Sequence, residues 1–388
     1  MPTAGFDMAT VHLLVTGCYR SGTTLLEKLL HAHPSACIAS QAFPVLFFMA
    51  KEAFLESRQI QRRYPLDHLF GESEYSPADW TAFLENYEMT SQDVQQLFDR
   101  LEQYTDGLWT PQVLQLRDAL KPGAFAEVLQ RLLQLTSEML GGRQARVWGD
   151  KEILCEEYIP FLIQQGTRVV VSVRDPRDMI TSLDYRERDN LTGGHRPLLY
   201  SLRAWRKSLA YCLAHEGTAN FHWLRYEDLV QHTERELHRL AEFLEVEPFP
   251  DQVAEGAIYG QDGTQWLGNS SFQDQPGIAT GSIGRYREAL PEATLRYIEA
   301  LCFPEMVAAG YPLAGDGRLD DSVVQSMSEP RSEIHAKFPA DYSYAPHRIE
   351  DELARRTMLA APRDALTVEQ KREWFLWETA YERLRAKI

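Results

Sequence analysis

Gly17-Cys18-Tyr19-Arg20-Ser21-Gly22-Thr23-Thr24 is the stretch of this chain best suited to holding an anion. A short apolar run ending at Thr16 leads into it, and a stretch of helical periodicity follows it. A strand, a tight glycine loop and a helix N-terminus, in that order, leave backbone N–H groups converging on one point, which is a cradle for a phosphate. The spacing is nearly G-x-x-x-x-G-K-[ST], but Thr23 stands at the lysine position. Nothing in the loop then reaches a γ-phosphate, and the basic residue sits earlier, at Arg20. The pattern predicts phosphate binding without ATP hydrolysis. The competing reading is a plain glycine turn feeding a helix, with Thr23 and Thr24 as caps.

A second anion site is written in Arg174-Asp175-Pro176-Arg177-Asp178-Met179-Ile180-Thr181-Ser182, after the β-branched run Val169 to Val173. An arginine at a strand exit supplies a planar donor fork, and a serine two helical turns later adds a hydroxyl to the same point. The competing reading is a helix opened by Pro176 in its first turn, with Asp175 as cap and Arg177 and Asp178 solvated.

The loop Arg20-Ser21-Gly22-Thr23-Thr24 resembles the R/K-S-G-T-T loop with which sulfotransferases hold the 5′-phosphosulfate of 3′-phosphoadenylyl sulfate (PAPS). The segment from Arg174 to Ser182 is similar to that family's 3′-phosphate site, with Arg174 and Ser182 at its contact positions, and it follows the loop in the family's order. Three shorter matches accompany these two. Trp148-Gly149-Asp150-Lys151 resembles the strand end whose lysine lies beside the transferred sulfonate. Leu224-Arg225-Tyr226-Glu227-Asp228-Leu229 resembles the Y-E-D-L segment, whose tyrosine lies near the adenine. Gly281-Ser282-Ile283-Gly284-Arg285-Tyr286-Arg287 is similar to the late G-x-x-G-x-W-[KR] segment that closes over the nucleotide, with Tyr286 in place of tryptophan. Where relatives carry R-K-G for the 3′-phosphate, this chain reads Ala279-Thr280-Gly281, so Arg285 or a backbone N–H of Gly281 or Ser282 must serve. The landmarks run from about residue 11 to 310.

The resemblance implies in-line transfer of a sulfuryl group from PAPS to a hydroxyl or amine of a small-molecule or metabolite acceptor. Charge that develops on the group and on the leaving phosphate would be met by loop N–H groups, Arg20, Thr24 and Lys151. Ser21, Gly22 and Thr23 complete the loop, and Tyr226 and Arg285 complete the cofactor set. No metal is expected, since the sequence lacks a ligand cluster of metal spacing. The family's usual bases are absent: their positions hold Gln41 and Ile153. Glutamine orients an acceptor but takes no proton at neutral pH. His195, in the turn Thr192-Gly193-Gly194-His195, is the first candidate base, ahead of Asp184 and Glu52. His31 and His33 are read as completing the turn after the loop helix. The alternatives are a phosphate-loop nucleotide kinase, or a nucleotide-binding relative that has lost catalysis.

With 40 basic and 56 acidic residues among 388, the formal net charge is −16. That balance disfavours a nucleic acid, an anionic membrane or an acidic polymer as partner. Five widely spaced cysteines without a C-x-x-C pair argue against a disulfide framework or zinc site and for a reducing compartment. No signal-like N-terminus and no membrane-length apolar run are apparent, so a cytoplasmic protein is expected.

The elements that must position these residues are four strand-like runs, at 11–16, 145–149, 168–173 and 220–225, separated by amphipathic helices. Alternation of this kind predicts an α/β fold: a parallel sheet between helix layers, like that of phosphate-loop nucleotidases, binding ligand at the strands' carboxyl ends. Residues 1–312 would form the sulfotransferase domain. A mostly helical insertion at about 59–142, bearing Trp80, Phe83, Tyr87 and Trp109, is read as a subdomain with its own small core that covers the acceptor pocket. Residues 313–388 form an extension, extended from Leu313 to His347. It ends in a helix opened by Thr367-x-x-Gln370, with Trp374, Trp377, Tyr381 and Leu384 on one face. That helix packs back on the body or pairs with a second copy, making a homodimer a candidate assembly.

Overall fold

Val169, Val171 and Val173 are buried in one apolar layer and Val170 in another, so this strand is covered on both faces. It is an inner strand of the main sheet in a computed structural model that describes residues 10–60, 75–104, 110–142, 144–184, 197–256, 258–259, 264–266, 277–315, 321–326 and 346–387. The main strands are β1 (Val11–Thr16), β2 (Ala36–Ser40), β5 (Val147–Lys151), β6 (Arg168–Val173) and β7 (Phe221–Arg225). Between β2 and β5, the short β3 (Glu88–Met89) and β4 (Gly123–Ala124) pair antiparallel. The main sheet runs in the order β2-β5-β1-β6-β7, with every pairing parallel. A parallel sheet needs helices on both faces. The helix Thr23–His31 and the helix Thr233–Leu244 cover one face, while Phe125–Met139 and Leu198–His215 cover the other.

Two of the four expected strands have the anticipated bounds, and two are shifted by one or two residues. β5 runs on through Asp150 and Lys151 because those charges are buried there rather than leaving for solvent. β2 was not anticipated: Ala36-Cys37-Ile38-Ala39-Ser40 is short and poor in β-branched residues, yet all five are buried.

The insertion does not have a core of its own. Trp80 is fully buried and packs on Phe54 and Tyr158, with ring centroids 5.0 and 5.1 Å away, in one apolar cluster continuous with the body. Phe83 and Tyr87 pack against that cluster, while Trp109 lies outside the described residues. Beneath the helix Pro44–Ser57, Lys51 and Lys207 both donate to the buried Glu157 carboxylate, the latter at 2.9 Å. Thr110 ties the insertion to the sheet edge: its hydroxyl donates to Ser40 O at 2.9 Å and accepts from Ser40 N at 3.2 Å.

The C-terminal residues pack back on the body. The capping box at Thr367 and Gln370 is formed, but the chain breaks at Leu376 (φ 63°) into two helices, Val368–Phe375 and Glu378–Arg385. Trp377 stacks edge-on to His215 at 5.0 Å. Within the stretch expected to be extended, Asp321–Ser326 is helical, and the helix Pro346–Ala360 follows. Its buried Glu352 accepts from Arg203 Nε at 2.6 Å and from Arg206 Nη1 and Nη2 at 2.6 and 2.8 Å. Burial alone would raise the Glu352 pKa, but Arg206 and Arg203 hold it far below the usual carboxylate range. A depressed folded pKa contributes stability that is complete above the unfolded value and disappears as pH falls. Glu352→Gln should therefore cost about 3–5 kcal/mol at neutral pH, the usual loss when one partner of a buried ion pair is removed. Urea unfolding at several pH values checks this, and the deficit should shrink on acidification.

Candidate functional site

Each main strand hands one candidate residue to the same edge of the sheet. Gln41 follows β2, Lys151 ends β5, the glycine loop follows β1, Arg174 follows β6 and Tyr226 follows β7. The strand order thus sets their sequence in space: Gln41, Lys151, loop, Arg174, Tyr226.

The loop is held by backbone conformations that few residues tolerate. Gly17 has φ 151°, and a Cβ there would lie 2.4 Å from Ser172 O. Gly22 has φ 93°, and a Cβ there would lie 2.2 Å from the Tyr226 ring. Arg20 is left-handed without being glycine (φ 62°), a strain that persists only where surroundings enforce it. Arg20 Nε donates to Ser182 Oγ at 3.0 Å, which joins the two sequence motifs directly. The helix Thr23–His31 starts at Gly22 without a side-chain cap and without an acidic residue in its first turn. Thr23 and Thr24 are not capping residues, and the helix N-terminus is open to an anion.

Eight anticipated residues, Arg20, Gly22, Thr23, Thr24, Arg174, Ser182, Tyr226 and Arg285, line one cleft. Ser21 is buried beneath it, where its carbonyl accepts from Ser172 Oγ at 2.7 Å. Arg174 sits over the Tyr226 ring, 4.8 Å from its centroid, and donates to Arg20 O at 3.2 Å and Ser282 O at 2.7 Å. Arg177 and Asp178 are buried, not solvated. Arg177 pairs with Asp175 and Glu299, each at 2.6 Å. Asp178, Thr181 and Ser282 also line the cleft. The three-to-four-residue spacing of Asp178, Thr181 and Ser182 places them on one helix face, a signal present in the sequence. Burial pushes the Asp178 carboxyl up, while N–H groups of Gly284 and Tyr286 and the charge of Arg174 pull it back.

Lys151 and Gln41 lie outside this lining and meet each other: Lys151 Nζ donates to Gln41 Oε1 at 2.8 Å, and Gln41 N donates to Lys151 O at 2.8 Å. Lys151 is 1% exposed, so it is a buried lysine and not a surface one. Burial lowers its pKa against the opposing pull of Glu27, Glu152 and Asp150. None of those acids was singled out from the sequence, because a glutamate in a helix and charges after a strand ordinarily face water. Asp150 Oδ1 accepts from Ala42 N at 3.3 Å and Glu152 Oε1 from Phe43 N at 3.1 Å, so three consecutive β5-side residues pin the turn carrying Gln41.

His195 lies outside the described residues, as does the Asp184 side chain. Glu52 is engaged by Arg100 at 2.7 and 3.2 Å. His31 Nδ1 accepts from Ile38 N at 3.1 Å and His33 Nδ1 from Ser35 N at 3.0 Å, so both complete the turn after the loop helix.

The model of the sulfotransferase family matches residues 13–251, more than half of the chain and the span that carries four of the five cleft-edge motifs' strands and loops. The chain belongs to that family. Carbohydrate sulfotransferase 7 of Rattus norvegicus is 34% identical over 101 residues, 24% of this chain and 19% of that protein. The match thus spans about a fifth of the length of this curated relative. The sulfotransferase domain of the Synechococcus PCC 7002 olefin synthase superposes with a TM-score of 0.44 at 18% identity, covering 74% of this chain and 91% of that one. The sulfotransferase domain from the curacin biosynthetic pathway gives 0.44 and 18%, covering 79% and 100%.

In this member of the family, burial pushes the Asp150 pKa up to about 6, and burial together with the Asp150 charge pushes Glu152 well above its usual value. Unfolded aspartate titrates near pH 4. Between about pH 4 and 6 the folded state therefore binds more protons than the unfolded one, and stability falls as pH rises through that window. Asp150→Asn should flatten this slope in urea unfolding measured across the window; an unchanged slope would show that Asp150 ionises normally.

Proposed function

We propose that this sulfotransferase moves the sulfuryl group of PAPS to a hydroxyl or amine of a small-molecule or metabolite acceptor. The observation that carries this reading is one cleft that combines an uncapped helix N-terminus, three guanidinium groups (Arg20, Arg174 and Arg285) and the Tyr226 ring. Its one carboxylate, Asp178, has both oxygens occupied by backbone N–H groups. That set suits a nucleotide bearing more than one anionic group, and the buried, unpartnered Arg174 Nε is a further donor for it.

PAPS supplies an activated sulfuryl group when bound. Thr23, Thr24 and the loop N–H groups would hold its 5′ end, Arg174, Ser182 and Arg285 its 3′-phosphate, and Tyr226 its base. The chemistry it would supply is exchange of the S–O bond to its 5′-phosphate for one to the acceptor oxygen or nitrogen. Arg20 and Lys151 would stabilise the charge on the departing oxygen. Gln41, held by Lys151, would orient the acceptor, and His195 is the candidate carried over from the sequence to receive its proton. No metal is assigned a role. All five cysteines are buried thiols outside any disulfide, which supports a reducing, cytoplasmic setting. The C-terminal helices pack on their own body, so they supply no argument for a homodimer.

Calorimetry should show much tighter binding of adenosine 3′,5′-bisphosphate than of AMP or ATP. Arg174→Ala should cost on the order of 2–4 kcal/mol for the bisphosphate, the range for truncating one partner of a desolvated charge pair. Equal affinity with and without the 3′-phosphate would remove the donor assignment, and ATP turnover would restore a kinase. Lys151→Ala should lower kcat more than it weakens donor binding. Unchanged turnover in that variant would confine Lys151 to positioning Gln41. Tight bisphosphate binding without turnover on any acceptor would mark a binding-only relative.

A further inference from the structure

Among the described residues Asp178 is the one carboxylate lining a cleft otherwise furnished with cations and hydroxyls, a position where its charge would oppose an anionic ligand. Its two oxygens are both engaged by one segment of chain. Oδ2 accepts from Gly284 N at 2.6 Å and Oδ1 from Tyr286 N at 3.0 Å, so the N–H groups on either side of Arg285 are anchored to a single side chain. The same segment is tied twice more to the wall formed after β6 and β7. Ser282 O accepts from Arg174 Nη2 at 2.7 Å, and Ser282 Oγ lies 2.7 Å from Tyr226 OH. Arg177 sits over the Tyr286 ring, 4.2 Å from its centroid, and holds the far side.

Arg285 occupies the turn between these anchors, at the N-cap of the short helix Tyr286–Ala289, and lines the cleft. It pairs with no carboxylate among the described residues. An exposed arginine on a short segment has ample rotamer and backbone freedom, and whatever fixes its backbone decides how much of its charge reaches the ligand.

We propose that Asp178 is a positioning residue: by clamping the backbone on both sides of Arg285 it aims that guanidinium into the cleft, and so sets how strongly the site prefers a nucleotide carrying a 3′-phosphate. This rests on the donor reading given above. The two N–H bonds offset the carboxylate's own charge, so its net effect on an anion is favourable although its sign is not. A bare repulsive carboxylate would have the opposite effect, and the sign of one substitution separates the two.

The test is the ratio of dissociation constants for AMP and for adenosine 3′,5′-bisphosphate, measured by calorimetry for wild type, Asp178→Asn, Arg285→Ala and the double variant. Each single change should reduce the ratio by about tenfold or more, the scale of losing one charged contact. The double variant should lose no more than the worse single variant, because both act through the same guanidinium. Thermal unfolding of each variant comes first. If Asp178→Asn does not fold, Asp178→Glu takes its place, since a clamp displaced by one methylene should also lose the preference. Tighter bisphosphate binding on removal of the charge, an unchanged ratio in the folded Asp178 variant, or losses that multiply in the double variant would each overturn the inference while leaving the donor reading intact. A wild-type protein that binds both nucleotides equally would overturn the donor reading itself, and this inference with it.

Discussion

The loop after β1 approaches its neighbours more closely than any side chain would allow. At Gly17 the obstacle is the Ser172 carbonyl of β6, and at Gly22 it is the Tyr226 ring that follows β7. These two contacts make the rest of the site possible. They draw the helix N-terminus of Thr23–His31 against the ends of β6 and β7, so that loop, Arg174 and Tyr226 share one cleft. Between these two glycines Arg20 adopts a left-handed backbone, and its side chain reaches Ser182. Parallel pairing of β1 with β6 and β6 with β7 keeps those strand ends in register.

A second constraint is the disposal of charge. The protein carries a net −16, yet many of its charged side chains are buried. Glu157 is shared by Lys51 and Lys207, and Glu352 by Arg203 and Arg206, so each of these carboxylates joins elements far apart in the chain. Burying an ion costs several kcal/mol before its partners compensate, so such clusters specify one arrangement more than they add net stability. Around Lys151 the same economy takes a different form. Glu27, Asp150 and Glu152 all act on the Lys151 ammonium, burial raises the pKa of all three, Glu27 also accepts from Lys28, and Lys151 donates to Gln41. The surroundings of Lys151 are thus built on buried acids, whereas the cleft is built on arginines.

Much of this was legible from residue types and spacing. Glycine pairs, the exit arginine and the β-branched run of β6 impose local geometry, and local geometry is what a sequence encodes most directly. β1, β6, the order of strand, glycine loop and helix N-terminus, and the Thr367 capping box all follow from such local geometry, and eight of the anticipated residues meet in one cleft. The less legible parts depend on burial by distant segments. β2 has too little β propensity to announce itself, and it exists because β5 pairs with it and Thr110 binds its edge. The insertion's aromatic residues carry no mark showing that they share a core with Phe54 and Tyr158.

The sequence by itself determined the α/β class, the family and eight of the residues that line the cleft, because each follows from short motifs whose chemistry is local. Only the tertiary structure decided what the charged residues do. Asp178 holds the turn around Arg285 instead of facing water, Lys151 is buried against Gln41, and Glu352 locks the C-terminal helix. A carboxylate in a one-dimensional sequence reads as a solvated surface group, and its role changes only when folding removes the water and supplies a donor in its place.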